Sequence, residues 1–205
     1  MKTFKRSTIK KKIKLKMAGV ALILMSAVSF GQNDLINQTT DQRDGFILEI
    51  GLGAGVISLE DSQGIQTFDE AQAAFSFPEL KIGFMLRDNL AITASMPGNI
   101  YELADNDRHF GGFIPSVQYW VKDRWWIHGG IGLAIDGPAL YDINDANDDW
   151  NFGCAVMAST GYDIYKKRNF VLNLQSKIVL GHAYLEDDAH RDAALVSLGL
   201  GFSWF

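Results

Sequence analysis

The chain has 205 residues, 47% of them hydrophobic, with 19 basic and 24 acidic side chains and a single cysteine. Eight of the basic residues crowd into the segment 2–16, so the chain from Gln32 onward holds 11 basic and 24 acidic residues, a net charge of about −13. Such a charge excludes nucleic acid as the main partner, because binding phosphates requires clustered Lys and Arg. The lone Cys154 excludes an intrachain disulfide, and no second Cys or His follows it at zinc spacing, so no metal site is predicted.

The first 31 residues have the pattern of an export signal. The basic stretch precedes an uncharged, mainly apolar run over 17–28, and small residues then lead to a predicted cleavage before Gln32. An uncleaved anchor is the alternative, but the run is shorter than the about 20 residues that a helix needs to cross a bilayer. We therefore predict a signal peptide over 1–31 and a polar periplasmic arm over 32–45.

From residue 46 onward, apolar side chains recur at every second position, which is the spacing of a β-strand with two different faces. The chain has twenty glycines and four prolines and shows no stretch of amphipathic helical periodicity. Each strand-like segment is long enough for a tilted strand to cross the hydrocarbon layer. The eight predicted strands are 46–57, 73–86, 89–97, 110–121, 125–135, 150–165, 169–184 and 192–205.

The charges separate when each segment is divided into its two rows. One row in each segment lacks Asp, Glu, Lys and Arg, and in the second segment this row includes Ala74 and Ser76. A charge at the middle of a bilayer costs about 2–4 kcal/mol, so we predict that these rows face lipid. The opposite rows hold polar side chains that we predict to form a network inside the barrel: Glu49, Glu79, Lys81, Gln118, His128, Asn173, Gln175 and Lys177.

Short and long connections alternate along the predicted strands. The short ones lie near residues 87–88, 122–124 and 165–168 and are predicted to be periplasmic. The longer ones are acidic and are predicted to be extracellular: 58–72, 98–109, 136–149 and 185–191. Within the third, residues 142–149 offer alternating oxygen ligands but lack the glycine and glutamate of a calcium loop. A solvated loop is the favoured interpretation, and weak binding of divalent cations is the alternative.

The final segment alternates large apolar with small or polar side chains and stops on the aromatic pair Trp204 and Phe205. With this ending and the charge-sorted strands, the chain resembles the small eight-stranded outer-membrane barrels of the OmpA transmembrane-domain, OmpX and OmpW type. The resemblance implies an all-β, antiparallel up-and-down transmembrane barrel over 46–205, in the outer membrane of a Gram-negative cell envelope. It also implies periplasmic termini, contact with outer-membrane lipid and lipopolysaccharide, and a C-terminal strand that the barrel-assembly machinery contacts.

Two other classes of protein fit the residues less well. A soluble barrel of lipocalin type would reverse the two rows, with apolar side chains inside and charges outside. An enzyme would need a nucleophile and a base in reach of each other, but His182 lies six residues from Ser176, too far along one strand for a hydrogen bond. We therefore predict no catalytic residues and no cofactor.

An eight-stranded lumen has room only for side chains or one small ligand. We predict that ion pairs close it and that the protein has a structural or surface-interaction role, with the acidic extracellular loops as the contact region. The alternative is an OmpW-like conduit or binder for a small hydrophobic molecule. Its apolar pocket would lie beneath the loops and consist of Phe75, Phe77, Ile114 and Trp126.

Overall fold

A computed structural model of the protein describes residues 43–62, 71–103, 106–139 and 149–205. The predicted signal peptide and most of the predicted arm lie outside the described residues. No helix long and apolar enough to span a bilayer occurs in the part of the chain that the structure describes. The strands are β1 (Phe46–Asp61), β2 (Gln72–Arg87), β3 (Leu90–Met96), β4 (Gly98–Leu103), β5 (Asn106–Trp120), β6 (Trp125–Pro138), β7 (Asn151–Lys167), β8 (Phe170–Tyr184) and β9 (His190–Trp204).

These strands form one antiparallel sheet that closes on itself. β1 pairs with β9 on one side and with β2 on the other, and the order between them runs through β8, β7, β6, β5 and β3. β3 and β4 are the two halves of one span interrupted at Pro97, whose nitrogen has no hydrogen to donate. Both halves pair with β5, so nine strands make eight spans. The predicted eight-stranded antiparallel barrel is confirmed.

A belt of exposed apolar side chains surrounds the barrel. Ile131, at the middle of β6, is 71% exposed, and Leu174 and Leu198 on β8 and β9 are each more than half exposed. Such a surface far exceeds the apolar patches that monomeric soluble proteins show. The rows alternate as predicted along most strands, because successive side chains of a strand point to opposite faces. The belt therefore matches the acyl chains of a membrane.

The N-terminal half of β2, on the side predicted to be extracellular and called upper below, departs from the predicted rows. Its register with β1 shifts by one residue beside Pro78, which is a β-bulge that reverses the alternation above it. Ala74 and Ser76 are consequently buried, whereas Phe75 is 66% exposed. The prediction that Ala74 and Ser76 face lipid and Phe75 faces the lumen is therefore wrong, because strict alternation does not allow for the inserted residue.

The predicted extracellular loop over 98–109 is also wrong, because most of it is strand. β4 and β5 pair continuously from Gly98 opposite Gly111 to Leu103 opposite Asn106. β1 likewise continues four residues beyond its predicted end, and β6 continues three. These extensions carry charged residues, among them Asp61 and Asp136, and such charges are compatible with a strand that has risen above the hydrocarbon layer. The extended strands bring charged side chains to the upper mouth of the lumen.

We expect Ile131→Lys to lower the free energy of unfolding in lipid vesicles by about 2–4 kcal/mol, because it places a charge at mid-bilayer. Phe152→Lys, near the extracellular rim, is expected to cost only about 0–1 kcal/mol. Equilibrium unfolding in urea, with Ile131→Val as the size control, measures both values. Equal losses for the two lysine variants would contradict the membrane depth assigned to the belt.

Candidate functional site

The lumen is the candidate site, and the side chains that fill it form successive layers. All eight side chains predicted for its interior are buried, none with more than 9% of its surface exposed. We call these eight residues the mid-barrel network. For seven of them, the residues immediately before and after in the chain face the apolar belt. The alternation of the strand therefore directs these seven side chains inward. The eighth, Glu79, follows the bulge in β2.

The carboxylate of Glu49 is the centre of one half of the network. β1 and β2 place Lys81 directly opposite Glu49, and the Lys81 Nζ lies 2.9 Å from the Glu49 Oε2. The Ser203 hydroxyl donates to the same oxygen at 2.5 Å, and the Asn173 amide nitrogen donates to it at 3.2 Å. Because a buried carboxylate is costly unless it is paired and hydrogen-bonded, these contacts are what keep Glu49 stable inside the barrel.

Two lysines connect different parts of the wall. Lys81 also donates to the Gln118 amide oxygen at 2.8 Å and lies 4.8 Å from the centre of the Trp126 ring, a cation–π contact. Lys177 on β8 forms an ion pair with Glu79 on β2, and two strands, β9 and β1, lie between them in the sheet. This second pair therefore extends across the lumen.

His128 is enclosed by hydroxyl groups. One ring nitrogen lies 3.0 Å from the Thr93 hydroxyl and 3.4 Å from that of Ser95, and the other lies 3.1 Å from the Ser159 hydroxyl. A cavity of about 20 Å³, lined in part by His128 and Gln175, remains beside the network. That volume holds about one water molecule, so no small-molecule substrate fits against the ring.

A second ionic group, absent from the sequence-based prediction, closes the extracellular mouth. We call it the upper ion cluster, and its members are Asp61, Tyr101, Arg108, Asp136 and Arg191. The Arg191 guanidinium holds both oxygens of Asp61 at 2.7 and 2.8 Å, and it also lies 2.9 Å from an Asp136 oxygen. The Tyr101 hydroxyl donates to Asp136 at 2.7 Å, and Arg108 lies 3.3 Å from the same carboxylate.

An apolar layer separates the mid-barrel network from the upper ion cluster. On β1, Ile57 and Leu59 lie between Glu49 and Asp61, and on β9 Leu195 lies above Ser197 and below Arg191. These side chains are almost completely buried. The wider group that packs with them includes Ala74, Phe110, Ile114, Met157 and Val179.

The periplasmic end of the barrel is filled by aromatic side chains and one arginine. Arg43, just before β1, donates to the Asp163 carboxylate at 3.1 Å and to the main-chain carbonyl of Asp123. Its guanidinium also lies 4.9 Å from the centre of the Trp120 ring, and the Phe205 ring meets Trp120 edge to face at 6.0 Å. We call these residues the periplasmic plug. Sequence reasoning missed Arg43 because it falls in the predicted arm.

The apolar pocket predicted from Phe75, Phe77, Ile114 and Trp126 is wrong. Ile114 lies in the apolar layer and Trp126 packs with the aromatic side chains at the periplasmic end, whereas Phe75 points away from the lumen. The Phe77 side chain lies outside what the structure describes. The bulge beside Pro78 and the height difference between Ile114 and Trp126 explain why these residues do not meet.

A closed antiparallel barrel with an apolar outer belt and a polar, ion-paired lumen defines a small outer-membrane β-barrel protein. No protein-family model matches the chain, and no curated protein matches it by sequence. Solved structures do match its fold, at 12–16% identity. Neisserial surface protein A (15% identical) matches with a TM-score of 0.51 over 78% of this chain and 96% of that one.

Two further solved structures are similar to the chain over most of its length. Ail of Yersinia pestis, crystallised with the heparin analogue sucrose octasulfate, is 12% identical and has a TM-score of 0.48 over 77% of this chain and 99% of that one. OprG of Pseudomonas aeruginosa is also 12% identical, with a TM-score of 0.43 over 80% of this chain and 97% of that one. At these identities the likeness shows the fold alone.

We expect Arg191→Met to lower the free energy of unfolding by about 3–5 kcal/mol, because it leaves the buried Asp61 carboxylate without its cation. Tyr101→Phe, which removes one hydroxyl group, is expected to cost about 1 kcal/mol. Arg87→Met is the matched control at an exposed arginine and is expected to change stability by less than about 0.5 kcal/mol. Unfolding in urea measures all three, and an Arg191→Met loss no larger than that of the control would refute the closure assigned to the upper ion cluster.

Proposed function

We propose that the protein is a non-conducting outer-membrane barrel with a structural or surface-interaction role. The observation that carries this proposal is the filled lumen: the periplasmic plug, the mid-barrel network, the apolar layer and the upper ion cluster follow one another along the barrel axis. Each layer alone narrows the path, and the cavity beside the network has a volume of about 20 Å³. A hydrated ion needs a continuous aqueous path, which such a lumen does not offer.

The energetics support the same proposal. To pass the upper mouth, an ion must separate Arg191 from Asp61 and Asp136, and breaking a buried pair of this kind costs about 3–5 kcal/mol. It must then cross the apolar layer, where Phe110 and Ile114 offer no ligand to replace lost water. The barrel thus acts as a rigid support, and the acidic extracellular connections are the proposed contact region for a partner.

The same arrangement supports the proposal that the protein is not an enzyme. His128 has hydroxyl partners on both ring nitrogens, which is the one place in the described lumen where a histidine meets serine side chains. The His128 side chain is nonetheless buried, and the cavity beside it holds about one water molecule. No acyl substrate reaches a hydroxyl in such a position.

A second candidate function rests on a seam in the wall, the place where the pairing of β2 passes from β3 to β4 and is interrupted. The ladder between β2 and β3 ends with Leu80 opposite Met96, and the next pair, Phe75 opposite Ile100, belongs to β4. Two prolines, Pro78 and Pro97, lie within the interval, and neither has an N–H to donate. Leu80 and Pro97 also line the cavity beside the mid-barrel network. A lateral path for a small hydrophobic molecule between lipid and lumen would run here.

We expect the purified protein to show no sustained conductance in planar bilayers. The paired substitution Glu79→Leu with Lys177→Met, which removes one ion pair at similar volume, is expected to stay closed as well, because the other layers remain. Single-channel recording with a protein-free bilayer as the control measures both. A steady open channel in the unmodified protein would refute the proposal.

We expect that cross-linking the seam will not change the rate at which the apolar dye phenylnaphthylamine enters producing cells. In a Cys154→Ser background, Phe75→Cys with Ile100→Cys allows a disulfide across it, since the two residues are direct cross-strand partners. Leu174→Cys with Leu200→Cys, direct partners on β8 and β9, is the matched control. Slower dye entry on oxidising the first pair, but not the second, would instead favour the conduit.

A further inference from the structure

Three side chains able to bind a metal come together on the outer wall, away from the lumen. His182 is near the upper end of β8, and His190 and Asp192 begin β9. The hairpin register places His182 opposite Asp192 and Tyr184 opposite His190. All three metal-binding side chains therefore belong to one corner of the sheet, although His182 and His190 are eight positions apart in the chain. Zinc spacing around Cys154 does not reveal them, because the hairpin register, not proximity in the chain, brings them together.

The distances fit a common ligand. The His182 Nδ1 lies 2.7 Å from one Asp192 oxygen, and the His190 Nε2 lies 3.9 Å from the other. All the candidate ligand atoms are within 4.8 Å of one another, and the two imidazole rings are 4.6 Å apart between centres. Tetrahedral zinc with bonds of about 2.0–2.1 Å needs ligand atoms about 3.3 Å apart, so rotations of exposed side chains are sufficient.

We propose that His182, His190 and Asp192 bind one divalent transition-metal ion of the Zn²⁺ type. Two imidazole nitrogens and one carboxylate oxygen are donors that Zn²⁺ accepts readily, whereas Ca²⁺ and Mg²⁺ prefer sites built from oxygen alone. Three protein ligands leave a fourth position to water or to an external group. The proposal does not depend on whether the lumen is closed.

The surroundings of the three residues favour a cation. His182 and His190 are half-buried and Asp192 is exposed, so an ion from the medium reaches them without any opening of the barrel. The connection between β8 and β9 carries the acidic run 186–188, and Glu60 of β1 is the cross-strand partner of Asp192. Several negative charges on one corner raise the local concentration of divalent cations.

The position relative to the membrane is also defined. The outward row of β8 below His182 continues with Leu180 and Ile178, which belong to the apolar belt, whereas the exposed aromatic Tyr184 lies above it. The His182 ring meets that of Tyr184 edge to face at 5.0 Å. The site therefore lies at the upper border of the belt, at the level where aromatic side chains meet the interface.

Isothermal titration of the untagged, chelator-treated protein with Zn²⁺ in detergent tests the proposal. We expect one ion per barrel, and we expect His182→Ala, His190→Ala and Asp192→Asn each to weaken binding at least tenfold. His109→Ala is the matched control: this histidine is on β5, packed against Gly98 and Gly111, and its loss should leave the affinity unchanged. Addition of Co²⁺ should produce a visible absorption band that disappears in the three site variants.

Two results would overturn the proposal: Zn²⁺ affinity in the three site variants equal to that of the unmodified protein, or displacement of Zn²⁺ by an equal concentration of Ca²⁺. The substituted side chains are at least one-third exposed, so the barrel should remain intact, and far-UV circular dichroism checks this. His182→Asn and His190→Asn keep a polar side chain at each position. If an alanine variant unfolds, the Zn²⁺ affinity of the corresponding asparagine variant replaces it in the comparison.

Discussion

Closure of the sheet is the constraint on which the remainder of the structure depends. A bilayer offers no water to an unpaired N–H or C=O group, so a strand protein crosses it only as a closed ring. β1 completes this ring by pairing with both β2 and β9. Once the ring is closed, each side chain faces either the lipid or the lumen, and its charge determines which. The hydrocarbon side accepts apolar groups, and the charged residues of the strands are directed into a lumen that eight strands make too narrow for bulk water.

A narrow lumen then requires its charges to pair. Lys177 and Glu79 stand on β8 and β2, and Arg191 of β9 reaches Asp136 of β6, so both contacts join parts of the wall that are not neighbours in the sheet. Pairs of this kind carry a desolvation cost, and they contribute less net stability than an apolar core of equal volume. What these pairs add is a constraint on geometry. Each pair forms only when two distant strands have one particular offset along the barrel axis, and this reinforces the register that the backbone ladder sets.

The sequence predicted most of the outer surface and part of the interior, and the reason differs between the two. Alternation is enforced wherever lipid penalises a charge, which is why Glu49, Lys81 and Lys177 could be assigned to the inside from parity alone. Alternation fails at Pro78, where a bulge inserts a residue. Above the belt no lipid sorts the side chains, so Asp61 and Arg191 were left in predicted loops. Extending the odd-numbered inward rows of β1 and β9 by a few residues would have placed both at the mouth of the lumen.

In the proposed role, the functional surface of the protein lies on its outside. Interior charges are satisfied by one another, so they offer little to a ligand, whereas polar groups on the outer wall have no such partners within the lumen. At the height of acyl chains a histidine or carboxylate facing outward is disfavoured, and the described belt residues are accordingly apolar. His182 and Asp192 stand at the first level where this penalty fades. Their position on a rigid β8–β9 hairpin, held by an uninterrupted ladder down to Phe170 and Trp204, fixes their spacing without help from the loops. A site in that place is presented by the barrel itself, and the stability gained from closure is what keeps it assembled.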